Sequence, residues 1–544
     1  MKKFLVLVIF GLLLSCDAEK SSADLLIKNG TVYTVNENFD VVEAIVVNEG
    51  KIVAVGSLAE LEAAYIPSEI YDARGKTVLP GLIDAHAHLF NLGRKLQNVD
   101  LVDTKSFEEV IERVVAFQNE NKRDFIIGRG WDQNDWEVKE FPTNEVLDSL
   151  FPDIPVALQR IDGHASIVNS MVLDFAKITA DTKMEGGEVI LKDGKPTGVL
   201  VDNARANMYG VFPDRGAGFV AQALIDGEKL CLELGLTTVN DAGLSRLIIK
   251  TIDSLQQAAT MKIRVYAMAS NYPANLDYFL DERGIIKTDR LHVRSIKVYG
   301  DGALGSRGAA MRAEYSDQAD QFGGMITTQE ELMALAKRIA AAGYQMNSHA
   351  IGDSANVSVI RAYQEALKDK KDARWKIEHA QVITPADFDA FSNNIIPSVQ
   401  PTHATSDMYW AEDRVGSERI KGAYAYKTLL GKAGIIVLGT DFPVERVNPM
   451  HTFYAAVARK DLQNYPDGGY RMEEALTREE TLRGMTIWAA YSNFEENEKG
   501  SIEVGKFADF TIMEQDIMEI PEDAIPNAEV TATIINGEVV YKSE

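Results

Sequence analysis

The chain has 544 residues, of which 46% are hydrophobic and 25% charged, a globular balance that excludes a wholly disordered or collagen-like polymer. Its formal net charge of −25 argues against nucleic acid as a partner and against docking on anionic lipid through a basic patch, since both need clustered cations. The length allows three or four domains, although one barrel can absorb about 250 residues.

Met1-Lys2-Lys3 precedes an apolar run from Phe4 to Leu14 and then Ser15-Cys16. A basic start before about 7–15 apolar residues reads as a secretory signal, too short to span a bilayer as a mature helix. Leu13-Leu14-Ser15-Cys16 resembles the bacterial lipobox, which implies cleavage before the cysteine and its acylation. The expectation is a signal peptide over 1–15, a lipidated Cys16, a tether over 16–23 and a lipid-anchored place in the cell envelope. The other cysteine, Cys231, then has no partner for an internal disulfide. It lies in the apolar-periodic helix Ala221–Leu234 and reads as a buried inert thiol.

Short β runs follow, with turn signals at Asn29-Gly30 and Glu49-Gly50. The far end repeats the style in Phe510–Met513, Thr531–Ile535, Asn536-Gly537 and Val539–Tyr541. Each end is too small for a good core alone. Residues 24–79 and 499–544 are therefore expected to pair into one β-sandwich.

Between them, β-branched apolar runs alternate with helical periods over 80–498. The predicted strands are Leu82–His86, Thr237–Asp241, Ile263–Met268, Ser295–Tyr299, Gln345–His349, Lys376–His379, Pro397–Gln400 and Ile435–Thr440. That number fits a (β/α)8 TIM barrel in the α/β class. Helix signals agree: Ser106…Glu109 and Thr328…Glu331 fit capping boxes, Thr384-Pro385 fits a helix start, and Gly343 fits a helix end. The gap between the first and second strands exceeds one crossover helix. It is read as an insertion at about 100–230, over the barrel mouth.

Barrel chemistry gathers at the C-terminal ends of strands. The first strand ends His86-Ala87-His88, and alternate residues share a face, so both imidazoles can meet one ion. Lys297 sits inside an otherwise mostly apolar strand, where a lysine is costly unless paired or chemically altered. His349, His379 and Asp441 end or follow later strands.

With Pro80–His88 and the terminal motifs Gly500–Asp509 and Ile534–Gly537, this pattern resembles the amidohydrolase superfamily. Gly130-Trp131-Asp132, Asp162-Gly163-His164, Asp301–Arg307 and Ser398–His403 are similar to its N-substituted formamide deformylase-like (amidohydrolase 3) branch. The resemblance spans residues 24–544. It implies that His86, His88 and Asp441 hold one divalent metal and His349 and His379 a second, with Lys297 carboxylated as a bridge. Imidazole and carboxylate suit two zinc ions best, with iron, manganese or nickel as alternatives. No nucleotide-binding glycine fingerprint stands out.

The implied reaction is hydrolysis of a non-peptide C–N bond in a small-molecule amide, N-formyl or N-acyl, with Asp441 as base and then acid. His164 is a candidate contact to substrate or oxyanion, and Arg307 a candidate carboxylate clamp with a structural ion pair as equal contender. His403 is expected at the mouth, with no ligand role required. Trp131, Trp136, Tyr409 and Trp410 suggest an aromatic substrate arm, or insertion core in the case of Trp136. The alternatives are a cyclic amide or lactone hydrolase or a deaminase on the same scaffold, or a lipid-anchored binding protein without catalysis. The membrane is expected as a partner through the lipid anchor only, and a homodimer is left open.

Overall fold

The computed structural model describes residues 20–183, 187–212 and 216–543. The signal peptide and Cys16 lie outside the described residues. Among those described, no helix is long and apolar enough to cross a membrane.

The barrel strands are β1 (Leu82–Ala87), β2 (Leu236–Leu244), β3 (Arg264–Ser270), β4 (Leu291–Tyr299), β5 (Gln345–Ala350), β6 (Trp375–His379), β7 (Ile395–Val399) and β8 (Val437–Leu438). They pair in sequence order, each parallel to its neighbours. Closure falls just beyond β8, where the Asp441 amide donates to the His86 carbonyl (2.8 Å) and the His88 amide to the Phe442 carbonyl (2.9 Å). The seam is narrow: a Cβ on Gly439 would sit 2.5 Å from the His86 nitrogen, so only glycine lets the first and last strands approach. The fold is thus a (β/α)8 TIM barrel with additional sheet domains.

Helices follow the strands, with the termini their sequences call for. Thr328 and Glu331 form a reciprocal capping box on Gln329–Ala341. Ser106 caps Phe107–Asn121, but Glu109 reaches back to the Lys105 amide rather than to the cap residue. Cys231 is fully buried in the helix Ala217–Glu233, and burial pushes its thiol pKa well up. That helix lies against Leu89–Leu96, where Gly93 leaves no room for a side chain over the Ala223 carbonyl.

Two sheets built from the chain ends form a sandwich. One orders Lys51–Gly56, Ala44–Asn48, Ser21–Lys28 and Tyr65–Asp72; the other joins Thr77–Pro80 to Phe510–Met513 in antiparallel register. Leu25, Ile27, Ile45, Val78, Phe510 and Ile534 share the core between them. A third sheet, from Val99 to Asp202, is inserted after β1. Trp131 is buried in its core, bonded through Nε1 to the Leu158 carbonyl (2.8 Å) and 5.9 Å from the Trp136 ring. Both tryptophans therefore build the insertion, and Trp131 is not a substrate arm.

Candidate metal centre

At the C-terminal end of the barrel, β1, β4, β5, β6 and the segment after β8 converge. The rings of His86 and His88 are 5.6 Å apart, those of His86 and His379 5.0 Å, and those of His349 and His379 4.5 Å. The Lys297 Nζ lies 3.1 Å from His86 Nε2. Asp441 Oδ1 is 3.2 Å from His88 Nε2 and 3.8 Å from His86 Nε2. His379 and Asp441 both adopt left-handed backbone (φ +73° and +62°), a strained state for residues other than glycine that gathers at functional sites.

Each imidazole is oriented by a group behind it. His86 Nδ1 meets Glu378 Oε2 at 2.6 Å, His88 Nδ1 meets the Ala242 carbonyl at 3.0 Å, and His379 Nδ1 meets Gln400 Oε1 at 2.8 Å. These contacts leave three Nε2 atoms for the shared centre. His349 is reversed, its Nε2 lying 3.4 Å from the Gly302 carbonyl, so Nδ1 is its free nitrogen. Outer acceptors of this kind fix ring tautomer and raise ligand basicity.

Charge favours the same use. Burial, then Lys297, lowers the pKa of His86 and takes that of His349 to about 3; burial, then His349, lowers His379 far below its ordinary value. Each shift favours loss of the ring proton, which metal ligation requires. Burial works to raise the Asp441 carboxyl, but the contact with His88 and the nearby His86, His379 and His403 overcome it and hold it well below the carboxylate range. Its buried Oδ1 lacks a well-aligned hydrogen-bond donor, as expected of an atom placed to face a cation. Lys297 is buried without a carboxylate within ion-pair reach among the described residues, and burial lowers its pKa. The donor set therefore fits divalent cations.

Sequence reasoning missed two parts. Glu378 is fully buried behind His86, and its only sequence signal is an acid directly before His379. Asp84 accepts from the His86 amide, the Thr440 amide and the Thr440 hydroxyl, tying β1 to the segment that carries Asp441.

The remaining candidates lie as follows. His164 is exposed in the insertion, its Nδ1 2.7 Å from Asp202 Oδ1, and it is not among the clustered donors. Arg307 forks onto Asp317 through Nε (3.0 Å) and Nη2 (2.8 Å), the ion-pair alternative. Tyr409 is exposed, stacked on Tyr465 and bonded to Asp461. The Trp410 ring packs over Gly305.

A (β/α)8 barrel with imidazoles and a carboxylate gathered at its strand ends is the architecture of a metal-dependent amidohydrolase. The chain belongs to the amidohydrolase family, whose pattern matches residues 69–541. It is 32% identical to Protein LONG AFTER FAR-RED 3 of Arabidopsis thaliana, over 95% of this chain and 92% of that protein. It is 31% identical to the putative amidohydrolase YtcJ of Bacillus subtilis (94% and 98% covered) and 26% identical to the N-substituted formamide deformylase of Arthrobacter pascens (95% and 98%). The solved structure of an uncharacterized metal-dependent hydrolase from Pyrococcus horikoshii ot3 matches with a TM-score of 0.73 and 27% identity, covering 92% of this chain and 99% of that one.

Proposed function

We propose that the chain hydrolyses a non-peptide C–N bond in a small amide, of N-formyl or N-acyl type. The observation that carries this reading is the convergence of His86, His88, His349 and His379 on Lys297 and Asp441, with one nitrogen of each ring left over from its orienting hydrogen bond. The name of the Arthrobacter relative supplies the amide class.

In this reading His86, His88 and Asp441 hold one divalent cation, and His349 and His379 hold another. Lys297, if carboxylated on its amine, would supply an anionic oxygen donor, which suits divalent cations where an ammonium would repel them. Zinc suits the donors best. Bound there, such cations would polarise a carbonyl oxygen and make water easier to deprotonate.

Asp441 does the proton work. Its carboxylate takes one proton from the attacking water as the oxygen bonds to the carbonyl carbon. When the C–N bond breaks, the same carboxyl gives that proton to the departing nitrogen. The products are a carboxylic acid and an amine, and Asp441 ends as it began. The same reading puts the enzyme in the cell envelope on a lipidated Cys16.

The test is a panel of N-formyl, N-acyl and cyclic amides and lactones, offered to protein loaded with zinc, manganese, iron or nickel. Amine release from open-chain amides, abolished by a chelator and restored by metal, is expected. Metal-dependent turnover confined to cyclic substrates would replace the amide reading with its ring-opening alternative. No turnover of any member by metal-loaded protein would overturn both.

A further inference from the structure

The two carboxylate oxygens of Asp441 face different histidines. Oδ1 points to His88 and His86 (3.2 and 3.8 Å), whereas Oδ2 lies 3.8 Å from His403 Nε2. His403 stands in the helix Pro401–Asp407, directly beyond β7. Its ring stacks on that of His379, with centroids 5.9 Å apart and planes 20° from parallel.

One donor atom each from His379, His403 and Asp441 lies within 4.8 Å of the others, the same criterion that groups His86, His88 and Asp441. A cation about 2.1 Å from its donors holds tetrahedral ligands about 3.4 Å apart. Either triad closes on an ion with shifts on the order of an ångström.

The ring of His403 also differs from the rest of the cluster. His86, His88, His349 and His379 each spend one ring nitrogen on a hydrogen bond to the protein. Among the described residues the His403 ring makes no hydrogen bond; its Nε2 makes long approaches to Asp441 and to Glu445 Oε1 at 4.0 Å, and Asp407 lies close enough to interact with its charge. Its backbone is fixed instead: the His403 amide donates to the Gln400 carbonyl (3.0 Å), and the Ser406 hydroxyl donates to the His403 carbonyl (3.3 Å). The nearby carboxylate of Glu445 adds negative charge that favours a cation.

We propose that His403 is a cation ligand. It joins His379 and Asp441 Oδ2 around the cation already given to His349 and His379, on the β7 side of the centre. This rests on the reading that the cluster binds divalent cations, and it adds a ligand that the hydrolytic assignment does not require.

The full chain is stripped with a chelator and reloaded with Zn²⁺ or Co²⁺, alongside His403→Ala and His403→Asn. The expected result is at least a tenfold weaker uptake of one cation in both variants and a changed visible spectrum of the cobalt form. Unchanged stoichiometry, affinity within twofold and an unchanged cobalt spectrum would overturn it and leave His403 as a substrate contact. Damage to the variants' folding does not decide the matter, because anomalous diffraction from zinc-loaded wild-type crystals reads it directly. A zinc peak at coordination distance from His403 Nε2 supports the proposal; peaks only at the other ligands overturn it. Wild-type protein that takes up no divalent cation would defeat the proposed function as well, whereas uptake indifferent to His403 defeats this inference alone.

Discussion

Glu378 Oε2 lies 2.6 Å from Nδ1 of His86, and both side chains are sealed from solvent. A buried carboxylate costs several kcal/mol unless paired. Burial alone would raise the Glu378 pKa, but His86, Lys297 and Lys376 outweigh it and bring the carboxyl down to about 2. The carboxylate therefore stays charged and pins His86 with Nε2 toward the centre. It also faces the charge of buried Lys376, which donates to Asn493 Oδ1 (2.8 Å).

Glu378→Gln should accordingly weaken metal binding by about 10–100-fold, the usual effect of losing an orienting partner. Competition against a chromophoric chelator measures it. Affinity within twofold of wild type would show that the carboxylate merely offsets charge.

Asp441→Asn should lower kcat by about 10²–10⁴, the contribution of a positioned proton-transfer group, while the imidazoles still retain metal. Metal analysis alongside steady-state rates on any amide identified as a substrate separates the two effects. A near-normal rate with metal bound would remove Asp441 from proton transfer.

Metal removal should destabilise the folded chain as well as silence it, because the donors come from strands far apart in sequence. A cation present at 100 times its dissociation constant stabilises by about 2.7 kcal/mol. Thermal melts of stripped protein with and without added zinc should therefore differ, and His88→Ala should shrink the difference. Identical melts would mean that the cluster binds no cation.

The barrel was legible because its signals are local. β-branched runs carrying His or Lys, or running up to Asp, mark the strands near His86, Lys297 and Asp441, and the periods between them mark helices. The way the rings are held was not legible. Whether His86 offers Nδ1 or Nε2 depends on Glu378, nearly 300 residues on, and no spacing rule joins them. His403 shows the same limit, since its bearing on Asp441 depends on how β7 lies beside β8. Trp131 misled for a related reason: an aromatic in a motif rich in Gly and Asp looks exposed until the insertion's sheet closes over it.

The joint between barrel and sandwich gives a prediction that sets fold against function. Arg264, at the start of β3, forks onto Asp509 through Nε (2.6 Å) and Nη2 (2.8 Å), and both side chains are buried. Asp509 also accepts from the Asn536 amide, so one carboxylate ties the start of β3 to the C-terminal strands. Burial opposes its charge, but Arg264 overcomes this and holds its pKa below the usual value of 3.8. With the folded pKa depressed, this stabilisation is complete above the unfolded value of about 3.9 and is lost as pH falls through the lower folded value. Asp509→Ala should cost about 3–5 kcal/mol at neutral pH by leaving the guanidinium buried and unpaired. The loss of stability between pH 5 and 2 should also be shallower in that variant than in wild type. Replacing both residues by leucine should cost less than Asp509→Ala alone, since no orphaned charge remains. Urea unfolding across that pH range tests all three statements, and a double variant less stable than the single one would refute the electrostatic account of the joint.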